Sequence, residues 1–226
     1  MKFSEMPYRR VEVEEAAQRS EEIRKALAEA SSYEEARAAF MEQQKLDTEI
    51  ETQYALVYIR HSIDTTDTFY DKENEYWDSA NPMLQEFSQK FTKELLKTPY
   101  RKEFEGEFGS LLFQNAEISL KAFSPEIIPE IQEENSLTSA YAKLIASAQI
   151  DFQGEKRTLP QMTPFKQSPD DKVREAAWKA EGAFYMEHGE ELDTIYDKLV
   201  KVRDKMAKKM GYKNYVELGY YRMMRN

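Results

Sequence analysis

The sequence of 226 residues has no cysteine and only two histidines, His61 and His188. Without cysteine the chain cannot form disulfides, use a thiolate in catalysis or bind a metal through cysteine, and this absence agrees with a reducing compartment such as the cytoplasm. Neither histidine starts a His-Glu-x-x-His motif, because Ser62 and Gly189 follow them. We expect both to be packing residues on apolar helix faces, with a polar position in a groove wall as the alternative for His61, and we expect no metal site in this chain.

Glycine and proline are also scarce, with 7 and 8 residues, while 33% of the chain is charged. This balance favours long helices over a loop-rich β fold. No apolar run approaches the roughly 20 residues that cross a bilayer, and the start lacks a signal-peptide core. The net charge of -10 argues against nucleic acid, since phosphate binding needs a basic surface. We expect a cytoplasmic protein with neither nucleic acid nor a membrane as partner.

Common catalytic motifs are absent from the sequence. It contains no Gly-x-Ser-x-Gly elbow, no Gly-x-Gly-x-x-Gly and no Gly-Lys dipeptide. A di-iron bundle needs two Glu-x-x-His motifs, but Tyr58 and Tyr185 stand three residues before the histidines. The many glutamate runs are typical of solvated helix faces. No catalytic or cofactor-binding residue is therefore predicted.

Capping residues and apolar spacing predict a series of helices. We expect helices over 11–30 and 32–65, the second opened by Ser32 with Glu35 and apolar enough in its later half to lie centrally. Asn81-Pro82, Thr98-Pro99 and Ser124-Pro125 each predict a helix start, and the helix after Ser124 should reach about residue 146, with Pro129 bending its first turns.

Residues 148–159 alternate apolar and polar side chains around a turn at Gln153-Gly154, which predicts a β-hairpin. One helix of about 40 residues should follow from Ser168 to Gly211, which supplies a left-handed stop. Its apolar stripe comprises Val173, Ala177, Ala180, Phe184, His188, Leu192, Ile195, Leu199, Val202, Met206 and Met210. The predicted fold is mainly α, an elongated multi-helix lobe spanning 1–226 with one small β-hairpin.

The C-terminal segment Gly211–Asn226 is rich in aromatic residues and methionine, which predicts an interface and a chain that continues in a larger protein. The candidate interface residues are Tyr215, Tyr220, Tyr221, Arg222, Met223 and Met224. Self-association is expected if that surface stays uncovered. The last thirty residues carry nine Lys or Arg and three acids, which indicates either a solvated helix end or a face for an acidic neighbour or peptide carboxylates.

Four segments resemble the oligoendopeptidase F group of the thimet-oligopeptidase-like zinc metallopeptidases. They are Tyr58–Tyr70, Leu111–Asn135, Leu144–Phe152 and Ile195–Asn226. The last is the most specific, because a basic helix, Gly-Tyr-x-Asn-Tyr and an aromatic-Arg-Met end occur there as one block.

The resemblance implies a lobe that forms one wall of a substrate channel and part of its shell in an enzyme that hydrolyses short peptides. It places the zinc-binding His-Glu-x-x-His helix and a third ligand, a glutamate, downstream of Asn226, so no zinc or catalytic residue carries over to this chain. In the complete enzyme, zinc-activated water would attack the peptide carbonyl with a glutamate as base. The implied partner is the downstream catalytic part. The alternative is a non-enzymatic helical interaction module that shares this ancestry.

Overall fold

The computed structural model describes residues 2–225, in which ten α-helices and two short strands follow one another. The helices are α1 Val13–Glu29, α2 Tyr33–Ile63, α3 Thr68–Leu95, α4 Arg101–Phe108, α5 Leu111–Ala122, α6 Ile128–Ala146, α7 Leu159–Lys166, α8 Asp171–Glu187, α9 Gly189–Lys209 and α10 Tyr215–Arg222; the strands are β1 Ile150–Phe152 and β2 Glu155–Arg157. In this part of the chain, no helix is long and apolar enough to cross a membrane. The predicted mainly α class is confirmed.

The chain divides into two compact units. The first contains the residues up to Gln132 and those from Asp204 onward, and the second is Glu133–Arg203. In the first unit, α1, α2 and α3 pack together around a large apolar cluster that α4 and α5 complete with Phe104 and Phe113. Each unit therefore has its own buried core.

The β-hairpin is confirmed and belongs to the second unit. Ile150 pairs with Arg157, and Gln153 and Gly154 both have positive φ, as a tight two-residue hairpin turn requires. Phe152 lies in the same apolar cluster as Met162 of α7. This packing supplies the support that an isolated hairpin lacks in water.

Helix α2 begins where Ser32 predicts it. The Ser32 hydroxyl accepts from the Glu35 N–H at 3.2 Å, while the Glu35 carboxylate accepts from the Ser31 N–H at 2.8 Å. The expectation of a fully central later half is wrong. Val57 is buried, but Ile63 is 75% exposed, because the neighbouring helices cover only one side of α2.

The prediction of a helix start at Asn81-Pro82 is also wrong, since α3 runs through Pro82. A proline inside a helix removes one hydrogen bond and costs about 3 kcal/mol or more. Pro82 is itself fully buried, and Trp77 and Leu84 on either side of it are buried in one cluster. Burial on both sides of the proline keeps the helix continuous.

Two other proline signals are displaced by a few residues. Thr98 Oγ1 accepts from the Tyr100 N–H at 3.3 Å, and α4 begins at Arg101. Ser124 caps a short 3-10 turn, after which α6 begins at Ile128. Pro129 therefore stands in the first turn of α6, where its missing N–H removes no helix bond.

Helix α7 is absent from the sequence predictions. Thr158 and Gln161 form a capping box, in which the Thr158 N–H donates to Gln161 Oε1 at 2.9 Å. Pro160 stands in the first turn, where it is compatible with a helix. The sequence prediction missed this helix because the alternating pattern of residues 148–159 was assigned to a β-hairpin that ends at the same position.

The expected single helix from Ser168 to Gly211 is wrong, because the structure breaks it at His188 between α8 and α9. The predicted stripe nevertheless remains buried or half-buried throughout. The Leu192 N–H donates to the His188 carbonyl at 3.0 Å, so the break does not interrupt the spacing. The left-handed stop is confirmed, since Gly211 has φ 82° and the Tyr212 N–H donates to the Ala207 carbonyl at 2.9 Å.

Candidate interface on the C-terminal helix

Helix α10 is fixed at its start and along its inner side. Asn214 Oδ1 accepts from the Val216 N–H at 3.0 Å, which caps the helix. Leu218 is fully buried in a cluster with Phe123 and Met206, which come from other parts of the same unit. Packing of Leu218 therefore decides which side of α10 faces the core.

Three of the predicted interface residues support this packing. The Arg222 guanidinium donates from Nη1 to the Tyr215 hydroxyl at 2.7 Å, and Tyr215 packs against the buried cluster. The Tyr221 hydroxyl donates to Glu217 at 3.2 Å. Burial raises the pKa of the Tyr221 hydroxyl, and the hydrogen bond to Glu217 adds to this rise. These polar contacts hold the aromatic residues against the helix.

The remaining predicted residues point to solvent: Tyr220 is 51% exposed, Met223 54% and Met224 47%. Val216, which is not among the six candidates, is 65% exposed. The spacing of four, three and one residues puts all four along one side of α10 and its end. We call Val216, Tyr220, Met223 and Met224 the outer stripe. Such a contiguous apolar surface is typical of a contact with another protein segment.

The basic end of α9 meets acidic residues of this same chain. Lys205 and Lys209 lie 2.8 and 2.7 Å from Glu130 Oε1, and the Glu130 side chain is 2% exposed. Burial would raise the pKa of the Glu130 carboxyl, but the hydrogen bonds from the two lysines hold it below its usual value. Arg203 contacts Glu134 in the same way at 2.7 Å within the second unit. Part of the predicted basic face is therefore used inside the fold.

The two histidines lie in different surroundings. His61 is 5% exposed, and its Nε2 lies 3.2 Å from Asp71 Oδ1. His188 is half-buried, with its ring centroid 4.6 Å from that of Phe184. Across residues 2–225, no group of three His, Cys, Asp or Glu side chains could hold a metal ion.

Two cavities were not predicted from the sequence. A groove of about 640 Å³ lies between the segment before α1, α1 itself and α2, lined among others by Arg9, Ala16 and Ile50. A smaller pocket of about 390 Å³ lies in the second unit, between α6, α8 and α9. Each combines residues from separate helices, so no local sequence pattern marks it.

The chain is similar to three solved structures, one of a peptidase and two of putative oligoendopeptidases. The chain is 43% identical to PZ peptidase A, solved with an inhibitor, with a TM-score of 0.96. It is 40% identical to a putative oligoendopeptidase F with a TM-score of 0.97, and 42% identical to a putative oligoendopeptidase F from Bacillus anthracis str. Ames, also with 0.97. The matches cover 100% of this chain but only 40%, 40% and 42% of those chains.

No curated protein matches the chain. The profile of the Peptidase M3 N-terminal domain matches residues 3–123, more than half of the sequence. This match covers α1 to α5, the whole of the segment Tyr58–Tyr70 and the first part of the segment Leu111–Asn135, two of the segments on which the resemblance rests. The chain therefore belongs to the peptidase M3 family through its N-terminal domain.

Proposed function

We propose that residues 1–226 form the N-terminal substrate-channel lobe of a cytoplasmic zinc oligoendopeptidase that hydrolyses short peptides. The observation that carries the proposal is the similarity of the whole chain to the structures of PZ peptidase A and of two putative oligoendopeptidases, of which it spans about two fifths. In this proposal, the two fifths of the enzyme that this chain represents form part of the wall of the substrate channel. The remaining three fifths contain the residues that bind zinc and catalyse hydrolysis.

The catalytic zinc, in this proposal, is held elsewhere in the complete enzyme. His61 is enclosed by packed helices and contacts Asp71, while His188 packs on Phe184 in the other unit. A zinc site needs three ligands around one point, and the described residues offer no such group. Residues 2–225 do not fit a zinc site, so we assign none of them a role in binding the catalytic zinc.

The partner of α10, in this proposal, is the catalytic part of the same peptidase. Tyr220, Met223 and Met224 would contact it through the outer stripe, since aromatic residues and methionine are enriched in interface cores. Tyr215, Tyr221 and Arg222 would hold the helix in the orientation that presents the stripe.

The proposal predicts that the isolated chain neither binds zinc nor cleaves peptides, and both expectations can be tested directly. After dialysis, metal analysis should find no stoichiometric zinc, and a quenched-fluorescent peptide should remain uncleaved. One tightly bound zinc per chain together with peptide cleavage would contradict the proposal that the catalytic zinc is bound outside this chain.

A complementation experiment tests the lobe role itself. The chain would be mixed with the separately produced remainder of a related oligoendopeptidase, and peptide cleavage would be measured. The unmodified chain should restore cleavage, and the Tyr220→Asp, Met224→Asp double variant should not. Met186→Asp is the matched control, because Met186 is 84% exposed on α8, outside the outer stripe. Equal cleavage with both variants would exclude the outer stripe as the contact.

A further inference from the structure

The pocket of about 390 Å³ in the second unit is surrounded by three tyrosines from three helices. Tyr141 belongs to α6, Tyr185 to α8 and Tyr196 to α9, and they are 48%, 41% and 69% exposed. Partial exposure leaves aromatic surface open to a ligand from solvent. The volume suits one amino-acid side chain with its adjoining backbone rather than a folded partner.

The other residues of the pocket combine an apolar floor with a single charge. The floor is formed by Ile145, Leu192, Ile195 and Leu199. Asp193 is the charged residue among those lining the pocket, and no lysine or arginine lines it within the described part of the chain. The pocket therefore disfavours an anionic ligand, which would be repelled by the Asp193 carboxylate and by the negative faces of the aromatic rings.

The sequence around the pocket is also acidic. Between Lys179 and Lys198 the chain has no lysine or arginine. In that stretch the exposed acids are Glu187, Glu190, Glu191 and Asp193, together with Asp197, which pairs with Lys201 at 2.6 Å. The helix ends that border the pocket therefore present a negative surface, which attracts a cationic ligand.

We propose that this pocket binds the arginine side chain of a peptide. A guanidinium stacks on aromatic faces and pairs with a carboxylate, while the three methylene groups of arginine can lie along an apolar floor. The tyrosines would hold the planar head, Asp193 would pair with its charge, and the floor would take the aliphatic stem. A neutral aromatic side chain would fill the same volume but leave Asp193 without a cation.

Two peptides that differ at one side-chain group test the proposal. The chain would be titrated with acetyl-Ala-Arg-Ala-amide and with the same peptide carrying citrulline, which keeps the shape, removes the charge and has a carbonyl oxygen in place of one NH2 group. Calorimetry should give an affinity at least about tenfold higher for the arginine peptide, as expected for a cation held by aromatic rings and a carboxylate. Equal affinities, or no binding of the arginine peptide, would overturn the proposal. The measurement needs no hydrolysis, so its result is separate from the peptidase role.

Variants locate the binding in the pocket. Asp193→Asn and Tyr196→Leu should each weaken binding of the arginine peptide about fivefold, while Tyr196→Phe should keep it within about twofold because the aromatic face remains. Glu175→Gln is the matched control, since Glu175 is an exposed carboxylate of α8 that pairs with Lys179 outside the pocket. Since Tyr196 and Asp193 are exposed, all variants should fold, which thermal unfolding would verify. The proposal fails if Asp193→Asn has no larger effect than Glu175→Gln, or if Tyr196→Leu binds like the unmodified chain.

Discussion

The two sides of α10 carry similar apolar side chains but differ in what covers them. Leu218 on the inner side is fully buried, whereas Val216 and Tyr220 on the outer side are more than half exposed. Apolar composition therefore does not separate residues that stabilise the fold from residues left for a partner. The inner side should control stability, and the outer side should control association.

The largest effect is expected at the inner side. Leu218→Ala should reduce the free energy of unfolding by about 2–5 kcal/mol, because it removes buried methyl groups and leaves a cavity. Val216→Ala, on the outer side of the same helix, should change it by no more than about 0.5 kcal/mol. Urea unfolding of both variants measures the difference. Similar losses would mean that both sides of α10 are buried.

The charged contact beneath the end of α9 should have the next largest effect. Glu130→Gln should cost about 1–3 kcal/mol at neutral pH, less than a fully buried ion pair, because both lysines can be solvated. Glu126→Gln, an exposed neighbour, is the matched control and should cost little. Denaturant unfolding at neutral pH provides the comparison.

The same contact predicts a pH dependence. The folded-state pKa of Glu130 is lowered, so its contribution is complete above the pKa of an unfolded glutamate, about 4.3, and is lost as pH falls through the lower folded value. The stability advantage of the unmodified chain over Glu130→Gln should shrink over that range. An advantage that grows on acidification would contradict the assignment.

A smaller effect is expected where the chain turns from α9 towards α10. Gly211→Ala should cost about 1–2 kcal/mol, because alanine is strained at a φ of 82°. A Cβ at this position would meet no atom within 4 Å, so the loss would come from backbone strain alone. Gly182→Ala, at an uncrowded position inside α8, should instead stabilise the chain by about 0.4–1 kcal/mol. Thermal unfolding of both variants measures whether Gly211→Ala lowers the stability and Gly182→Ala raises it.

Local signals predicted much of the fold, and tertiary packing explains most of the errors. The caps at Ser32 and Gly211 act within one turn of a helix, so the sequence around them suffices. The continuity of α3 through Pro82 depends instead on burial against distant residues. The break at His188 was missed because one interrupted position leaves the apolar spacing intact.

The sequence predicted which segment contains the candidate interface, but it did not predict which side chains of that segment are exposed. Aromatic residues and methionine are visible in the sequence of α10, yet the side that packs is chosen by Phe123 and Met206, which lie far from it in sequence. The tyrosine pocket had no sequence signal, because Tyr141, Tyr185 and Tyr196 occupy unrelated outward positions on three helices.

Analytical ultracentrifugation tests most directly whether the outer stripe is an uncovered interface. The unmodified chain should show an average mass that rises with concentration, because an apolar stripe without its partner favours self-association. The Tyr220→Asp, Met224→Asp double variant should remain monomeric with a free energy of unfolding within about 0.5 kcal/mol of the unmodified chain, since both side chains are exposed. An unmodified chain that stays monomeric at high concentration and binds no dye specific for exposed apolar surface would contradict this account.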